Sequence, residues 1–261
     1  MTSQVLTRKL SAASYVRKSR LIVGLDLTAD LANKRKAEAD RLEKEALRIV
    51  SLTAEHAVAF KFNRQLVLPL GVFDRVPKII DAIHDLGLTA IMDCKINDIG
   101  NTNSWIARYY FKAGFDAVIV NPLVGWEGGL DSVFEMARRQ DRGVITLCYM
   151  SHPAADEGYG LYVATGRNKK AREPLYMTFA QRAKNWRADG VIVGATYPEK
   201  IAEVRSVLGS TVPIISPGIG AQGGGARDAI EAGASYVIAA RSIVESDDPA
   251  AIAASIAAET R

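Results

Sequence analysis

The sequence predicts a single α/β domain of the (β/α)8, or TIM-barrel, class, on three observations. Eight short apolar runs recur along the chain, amphipathic helical stretches separate them, and no Pro/Gly/Ser-rich linker interrupts the series. An eightfold strand and helix alternation over 261 residues favours a closed parallel barrel over an open doubly wound sheet. Such barrels reach about 250 residues as one unit, so the length does not demand a second domain.

Residues 1–20, MTSQVLTRKLSAASYVRKSR, are rich in Ser, Lys and Arg and contain no acid, a composition shared with organellar transit peptides. Because a core strand begins at Leu21, the segment is expected instead to be a short helical extension closing the bottom of the barrel, within one domain over 1–261. Strands are expected at LIVGLD (21–26), AVAFKF (57–62), LTAIMD (88–93), DAVIVN (116–121), GVITLC (143–148), GVIVGA (190–195), VPIISP (212–217) and SYVIAA (235–240). Each is rich in Val, Ile or Leu without clean alternation, the pattern of parallel strands buried on both faces. Between them, helices are expected over 33–56 and over 72–86, where Asp81, His84 and Asp85 interrupt an apolar stripe. The connection from Ser151 to Met177 is long and rich in Gly, Lys, Arg and Asp, so it is expected to be a loop or lid.

Hydrophobic residues make up 48% and charged residues 24%, enough apolar material for a large core. The net charge of +4 (33 basic minus 29 acidic) is spread along the chain, which argues against nucleic acid as the main partner while remaining compatible with a small anionic substrate. Cys94 and Cys148 are too few for a disulfide scaffold and read as buried thiols in a reducing, cytoplasmic setting. No apolar run approaches the roughly 20 residues that span a bilayer, so no membrane partner is expected.

The densest chemistry lies at the end of the third strand, in Asp93-Cys94-Lys95-Ile96-Asn97-Asp98-Ile99-Gly100-Asn101-Thr102. In extended geometry Asp93 and Lys95 face one way and Cys94 the other. A surface ion pair would be worth only about 0–1 kcal/mol, but two acids and a lysine closing an apolar strand at a barrel's C-terminal rim read as a site. Asp26, Lys61 and Arg241 also end strands. In a closed barrel these ends surround one mouth, where Asp26, Lys61, Asp93 and Lys95 can form an array of alternating charge.

The segment Ser216-Pro217-Gly218-Ile219-Gly220-Ala221-Gln222-Gly223-Gly224 contains a nominal GxGxxG. It stands in the seventh unit rather than the first, and Ala240-Arg241 replaces the acid a dinucleotide site needs about 20 residues later, so that reading is rejected. The loops after strands seven and eight of many barrels hold phosphate through backbone N–H groups, and Gln222 and Arg241 would complete such a site. Ser151 and His152 are adjacent, so their side chains point apart, and no GxSxG elbow surrounds the serine. His56 and His84 fall on expected helices, where packing or solvent exposure accounts for them, and three scattered histidines make no metal site.

Together, Asp93-x-Lys95-x-x-Asp98-Ile99-x-x-Thr102, Met150-Ser151-His152-Pro153, SPGIGAQGG and Arg241-Ser242 resemble the orotidine 5'-monophosphate decarboxylase family across essentially the whole barrel. The resemblance implies a lyase that uses neither metal nor cofactor and converts orotidine 5'-monophosphate to UMP and CO2. It implies that Arg241 and Gln222 hold the phosphate, Gln222 bridging towards the pyrimidine, that Ser151 and Pro217 belong to the substrate-binding set, Ser151 bonding the base, and that Asp26, Lys61 and Thr102 contact ribose. Asp93 would sit beside the departing carboxylate, and Lys95 would stabilise and protonate the ring carbanion. Asp98 and Thr102 would reach into a neighbouring subunit's site, which implies a homodimer.

Ala240 departs from the glycine that the family often has before the phosphate-binding arginine, and its methyl puts close phosphate approach in question. The nearest rival is a magnesium-dependent 3-keto-L-gulonate 6-phosphate decarboxylase, which shares the Asp-x-Lys-x-x-Asp core. Asp98-Ile99 with Thr102 and the SPGIGAQGG loop favour the nucleotide enzyme. A non-catalytic phosphate sensor would have no use for a charged cluster as costly as Asp93 with Lys95.

Overall fold

The computed structural model describes residues 5–30, 35–165, 171–220 and 222–261. The first four residues of the extension, residues 33–34 of the expected helix, residues 166–170 of the expected loop and Ala221 lie outside the described residues.

Each of the eight apolar runs forms a strand. They are β1 (Leu21–Leu25), β2 (Ala57–Asn63), β3 (Thr89–Ile96), β4 (Ala117–Val120) and β5 (Gly143–Tyr149) and, after a hairpin of β6 (Tyr162–Thr165) with β7 (Ala171–Pro174), β8 (Gly190–Val193), β9 (Ile214–Ile219) and β10 (Tyr236–Ala239). All barrel pairs are parallel, and Leu21 aligns both with Ala57 of β2 and with Val237 of β10, which closes the sheet into a (β/α)8 barrel. The helices are α1 (Val5–Arg17), α2 (Arg35–Thr53), α3 (Arg64–Leu70), α4 (Val76–Asp85), α5 (Gly100–Lys112), α6 (Asp131–Arg139), α7 (Ala155–Tyr159), α8 (Leu175–Trp186), α9 (Pro198–Leu208), α10 (Ala226–Glu231), α11 (Arg241–Val244) and α12 (Pro249–Glu259).

Alternation along the strands divides the core in two. Ile22, Ala59, Ile91, Ile119, Ile145, Leu147, Ile192, Ile215 and Ile238 form one cluster, while the intervening residues pack with the helices in a second. The first cluster, which we take as the barrel interior, also contains Leu6 and Leu10 of α1, both fully buried. A Cβ at Gly143 would stand 2.6 Å from Leu6 Cδ2, so β5 must begin with a residue that has no side chain for the α1 plug to seat.

Side chains tie the lower ends of the strands. Asp116, just before β4, accepts the Ala90 N–H at 2.8 Å, Asp189, just before β8, accepts the Val144 N–H at 2.9 Å, and Ser235 does the same for Ile214 at 3.3 Å. Asp116 is 3% exposed and also meets Lys9 of α1 at 2.8 Å, His84 of α4 at 2.8 Å and Arg142 at 3.2 Å.

The helix expected over 72–86 is shorter than its apolar stripe. Gly71, with φ of 73°, ends α3, a wide π-type turn covers Gly71–Arg75, and regular helix begins at Val76 because Pro77 has no N–H and is tolerated only in a first turn. His56 lies in a turn after α2 rather than on a helix, and His84 is on α4 and exposed, as expected, with its Nε2 also meeting Asp116. The connection expected to be a loop contains α7 and the β6–β7 hairpin, formed where Tyr162, Val163 and Thr165 bring β-branched and aromatic side chains together. Among the described residues no helix is long and apolar enough to cross a membrane.

Candidate active site

The C-terminal ends of the strands ring a cavity of about 290 Å³. Its apolar lining, Ile119, Leu147, Ile192, Ile219 and Ile238, is mostly the upper layer of the interior cluster. The polar wall brings together Asp26, Lys61, Asp93, Lys95, Ser151, Pro217, Gln222 and Arg241, eight of the ten residues singled out in the sequence. Asp98 and Thr102 are not part of this lining. Asp98 is exposed, and its backbone N–H and C=O are both held by the Asn103 side chain at the head of α5.

The charges alternate. Lys95 Nζ lies 2.7 Å from Asp93 Oδ1, Lys61 Nζ lies 3.4 Å from Asp93 Oδ2, and Lys61 Nζ lies 3.7 Å from Asp26 Oδ1. Two carboxylates and two ammoniums sum to zero, which lets Lys61 sit 5% exposed inside a protein wall. Burial alone would raise the Asp93 pKa, but the Lys61 and Lys95 ammoniums and their hydrogen bonds outweigh it and hold the carboxyl below the ordinary aspartate value.

As expected, Asp93 and Lys95 both line the cavity while Cys94 packs away from it, but the backbone between them is not regularly extended. Lys95 has φ of 48°, in the left-handed region unusual for a residue with a side chain, and the β3–β4 register shifts between Met92 and Ile96. Such irregularities near a barrel rim are of the kind that re-aim side chains. Strain here is of the order of 1–3 kcal/mol and is the kind found at functional sites.

Asn63 was not foreseen. Its Nδ2 donates to Asp26 and its Oδ1 accepts from Lys61, so one amide links two members of the array. The signal was its spacing, since Asn63 follows Lys61 by two residues on β2 and aligns with Asp93 on β3. Met150 and His152 also line the cavity.

Gln222 follows β9 and Arg241 follows β10, the neighbour of β1 in the barrel; both line the cavity and are exposed, and the Arg241 guanidinium forms no ion pair with a described residue. The backbone N–H groups of Gly220, Gly223 and Gly224 donate within the loop, to Gly224, Gly220 and Gly218 respectively. Those three donors serve the turn itself. A Cβ at Gly24 would lie 2.7 Å from the Ala240 methyl, so that methyl occupies room which Gly24 of β1 leaves open.

A family model described as Orotidine 5'-phosphate decarboxylase / HUMPS family matches residues 19–256. The chain belongs to this family. An orotidine 5'-phosphate decarboxylase of Methanosarcina mazei is 38% identical over 218 residues, 83% of this chain and 89% of that protein. The crystal structure of the Pyrococcus horikoshii orotidine 5'-phosphate decarboxylase matches with a TM-score of 0.70 at 35% identity, over 92% of this chain and 99% of that one. Leishmania donovani UMP synthase matches with a TM-score of 0.82 at 27% identity over 97% of this chain, which spans 55% of that longer protein.

Proposed function

We propose that this member of the family decarboxylates orotidine 5'-monophosphate to UMP and CO2, the last step of de novo pyrimidine nucleotide synthesis, in the cytoplasm and without metal or cofactor. The observation that carries the reading is that the Lys95–Asp93–Lys61–Asp26 array lines one small cavity together with an Arg241 guanidinium that pairs with no acid among the described residues.

In this reading Arg241 and Gln222 take the phosphate, Ser151 bonds the base, Pro217 packs in the same wall, and Asp26 and Lys61 meet the ribose. The substrate carboxylate is placed against Asp93. The carbon–carboxylate bond breaks with its electron pair left on the ring carbon, CO2 departs, and the Lys95 ammonium gives a proton to that carbon. Like charges about 4 Å apart repel by roughly 4 kcal/mol at an effective dielectric of 20, while enzymes lower barriers by about 8–23 kcal/mol. Repulsion from Asp93 is therefore a minor contribution, and a preorganised Lys95 stabilising the carbanion is the larger one. Asp93 also fixes that ammonium at 2.7 Å before substrate arrives.

Asp98 and Thr102 are proposed to complete the site of a second copy in a homodimer. Their position outside this chain's own cavity supports the reading, as does the exposure of Ile99, Trp105 and Tyr109 beside them.

The test is the loss of orotidine 5'-monophosphate absorbance with protein exhaustively treated with EDTA, and with Lys95→Ala in parallel. Turnover by the parent and none by the variant is expected. A folded parent that turns over only with added magnesium, or only on a sugar phosphate, would refute the reading.

A further inference from the structure

Ser151, which the proposed decarboxylation sets against the base, does not hold its own place. Its loop is gripped from the turn between β8 and α9, residues Gly194, Ala195, Thr196 and Tyr197. The Gly194 N–H donates to the Tyr149 carbonyl at 2.9 Å, Thr196 Oγ1 donates to the Ser151 carbonyl at 3.1 Å, and the Tyr197 hydroxyl donates to the His152 carbonyl at 3.1 Å. The Tyr197 ring also packs edge-on against Tyr149, with centroids 5.2 Å apart.

The same turn touches the other substrate loop. The Ala195 N–H donates to the Pro217 carbonyl at 2.8 Å, and a Cβ at Gly224 would stand 3.0 Å from the Ala195 methyl. The fit around Ser151 is close on both sides. A Cβ at Gly194 would stand 2.7 Å from Ser151 Cα, and one at Gly218 would stand 3.2 Å from Ser151 Cβ and 2.8 Å from Gln222 Oε1. Thr196 and Tyr197 line no part of the cavity, so their hydroxyls have no direct claim on substrate.

We propose that Thr196 and Tyr197 are positioning residues, which act through the Ser151 and His152 carbonyls to hold the base-binding loop in register with the Pro217–Gln222 phosphate loop. The physical reason is that Ser151 follows the last residue of β5 by two positions, beyond the sheet's hydrogen bonds. A serine hydroxyl that must meet a base to within a few tenths of an ångström needs its backbone fixed by something else. One turn bonded to both loops fixes their separation, and with it the distance between the base and phosphate ends of the site.

The inference rests on the proposed decarboxylation, and a double-mutant cycle keeps the two apart. Thr196→Val removes the hydroxyl at nearly constant volume. It is expected to lower kcat/KM for orotidine 5'-monophosphate by about 5- to 10-fold in the parent, the size of one lost hydrogen bond, and by less than about 2-fold in a Ser151→Ala background. Thr196→Ser, which keeps the hydroxyl, is expected to restore efficiency to within about 2-fold of the parent. Should Thr196→Val fail to fold, Tyr197→Phe, which deletes one oxygen, carries the same cycle through His152. Losses of equal size in both backgrounds, or no loss in the parent background, would overturn the proposal while leaving the decarboxylase reading intact. An inactive parent would overturn both.

Discussion

Lys61 shows what the site asks of single residues. A lysine 5% exposed needs every proton placed, and Asp26, Asp93 and the Asn63 amide surround it. Removing the amide leaves a buried ammonium short of an acceptor and lets Asp26 drift, with each charge-assisted bond worth about 1.5–3 kcal/mol. Asn63→Ala is therefore expected to lower kcat/KM for orotidine 5'-monophosphate by about 10- to 100-fold, measured by steady-state kinetics, with the fold retained by circular dichroism; an unchanged value would mean the amide is incidental. Asp26, Lys61, Asp93 and Lys95 were legible as one constellation because strand ends in a barrel converge. Asn63 was passed over because it is uncharged, although the same two-residue spacing that grouped Asp93 with Lys95 groups it with Lys61. The left-handed backbone at Lys95 was not legible at all, since φ of 48° coincides with the β3–β4 register shift and lysine has no local preference for it.

At the scale of the strand ends, Asp116 and Asp189 do one backbone job in opposite electrostatic settings. Burial would raise both, but the His84 and Lys9 hydrogen bonds and the Ala90 N–H bring Asp116 down to about 2, whereas burial dominates at Asp189 and pushes it up to about 6. An aspartate titrates near 3.9 when unfolded. Asp116 thus contributes about 2 kcal/mol above pH 4, lost as the pH falls towards 2, while folding favours protonated Asp189, whose contribution is complete below pH 4 and lost as the pH rises to about 6. Urea denaturation at pH 8 is expected to find Asp116→Asn less stable than the parent by about 2 kcal/mol and Asp189→Asn no less stable, with the Asp116 deficit shrinking towards pH 2. Equal deficits at pH 8 would contradict this account. Both aspartates precede apolar strands in the sequence, in DAVIVN and DGVIVG, and there they look alike. Only the arrival of the Lys9, His84 and Arg142 side chains at the Asp116 carboxylate separates their roles, and that is tertiary information.

At the scale of the whole molecule, the barrel has one end closed by α1 and a cavity at the other. Leu6 and Leu10 pack into the same buried cluster as the isoleucines that line the cavity, so the barrel interior beneath the cavity is filled by side chains. The mouth gathers eight of the ten residues marked in the sequence and leaves Asp98 and Thr102 out of its lining, beside exposed Ile99, Trp105 and Tyr109. If a two-fold partner supplies those two groups, each site takes Lys95 from one copy and Asp98 from the other, as an isologous interface requires. Lys95→Ala and Asp98→Ala, each inactive alone, would then complement when mixed under exchange. A heterodimer carries both defects in one site and none in the other, so random pairing, with half the dimers mixed, leaves about a quarter of all sites intact. Recovery of about a quarter of parental activity on mixing is the expected outcome, read by the same absorbance assay after subunit exchange. No recovery from a mixture shown to exchange would place Asp98 in the site of its own chain, reached by a movement of the Asp98–Thr102 segment.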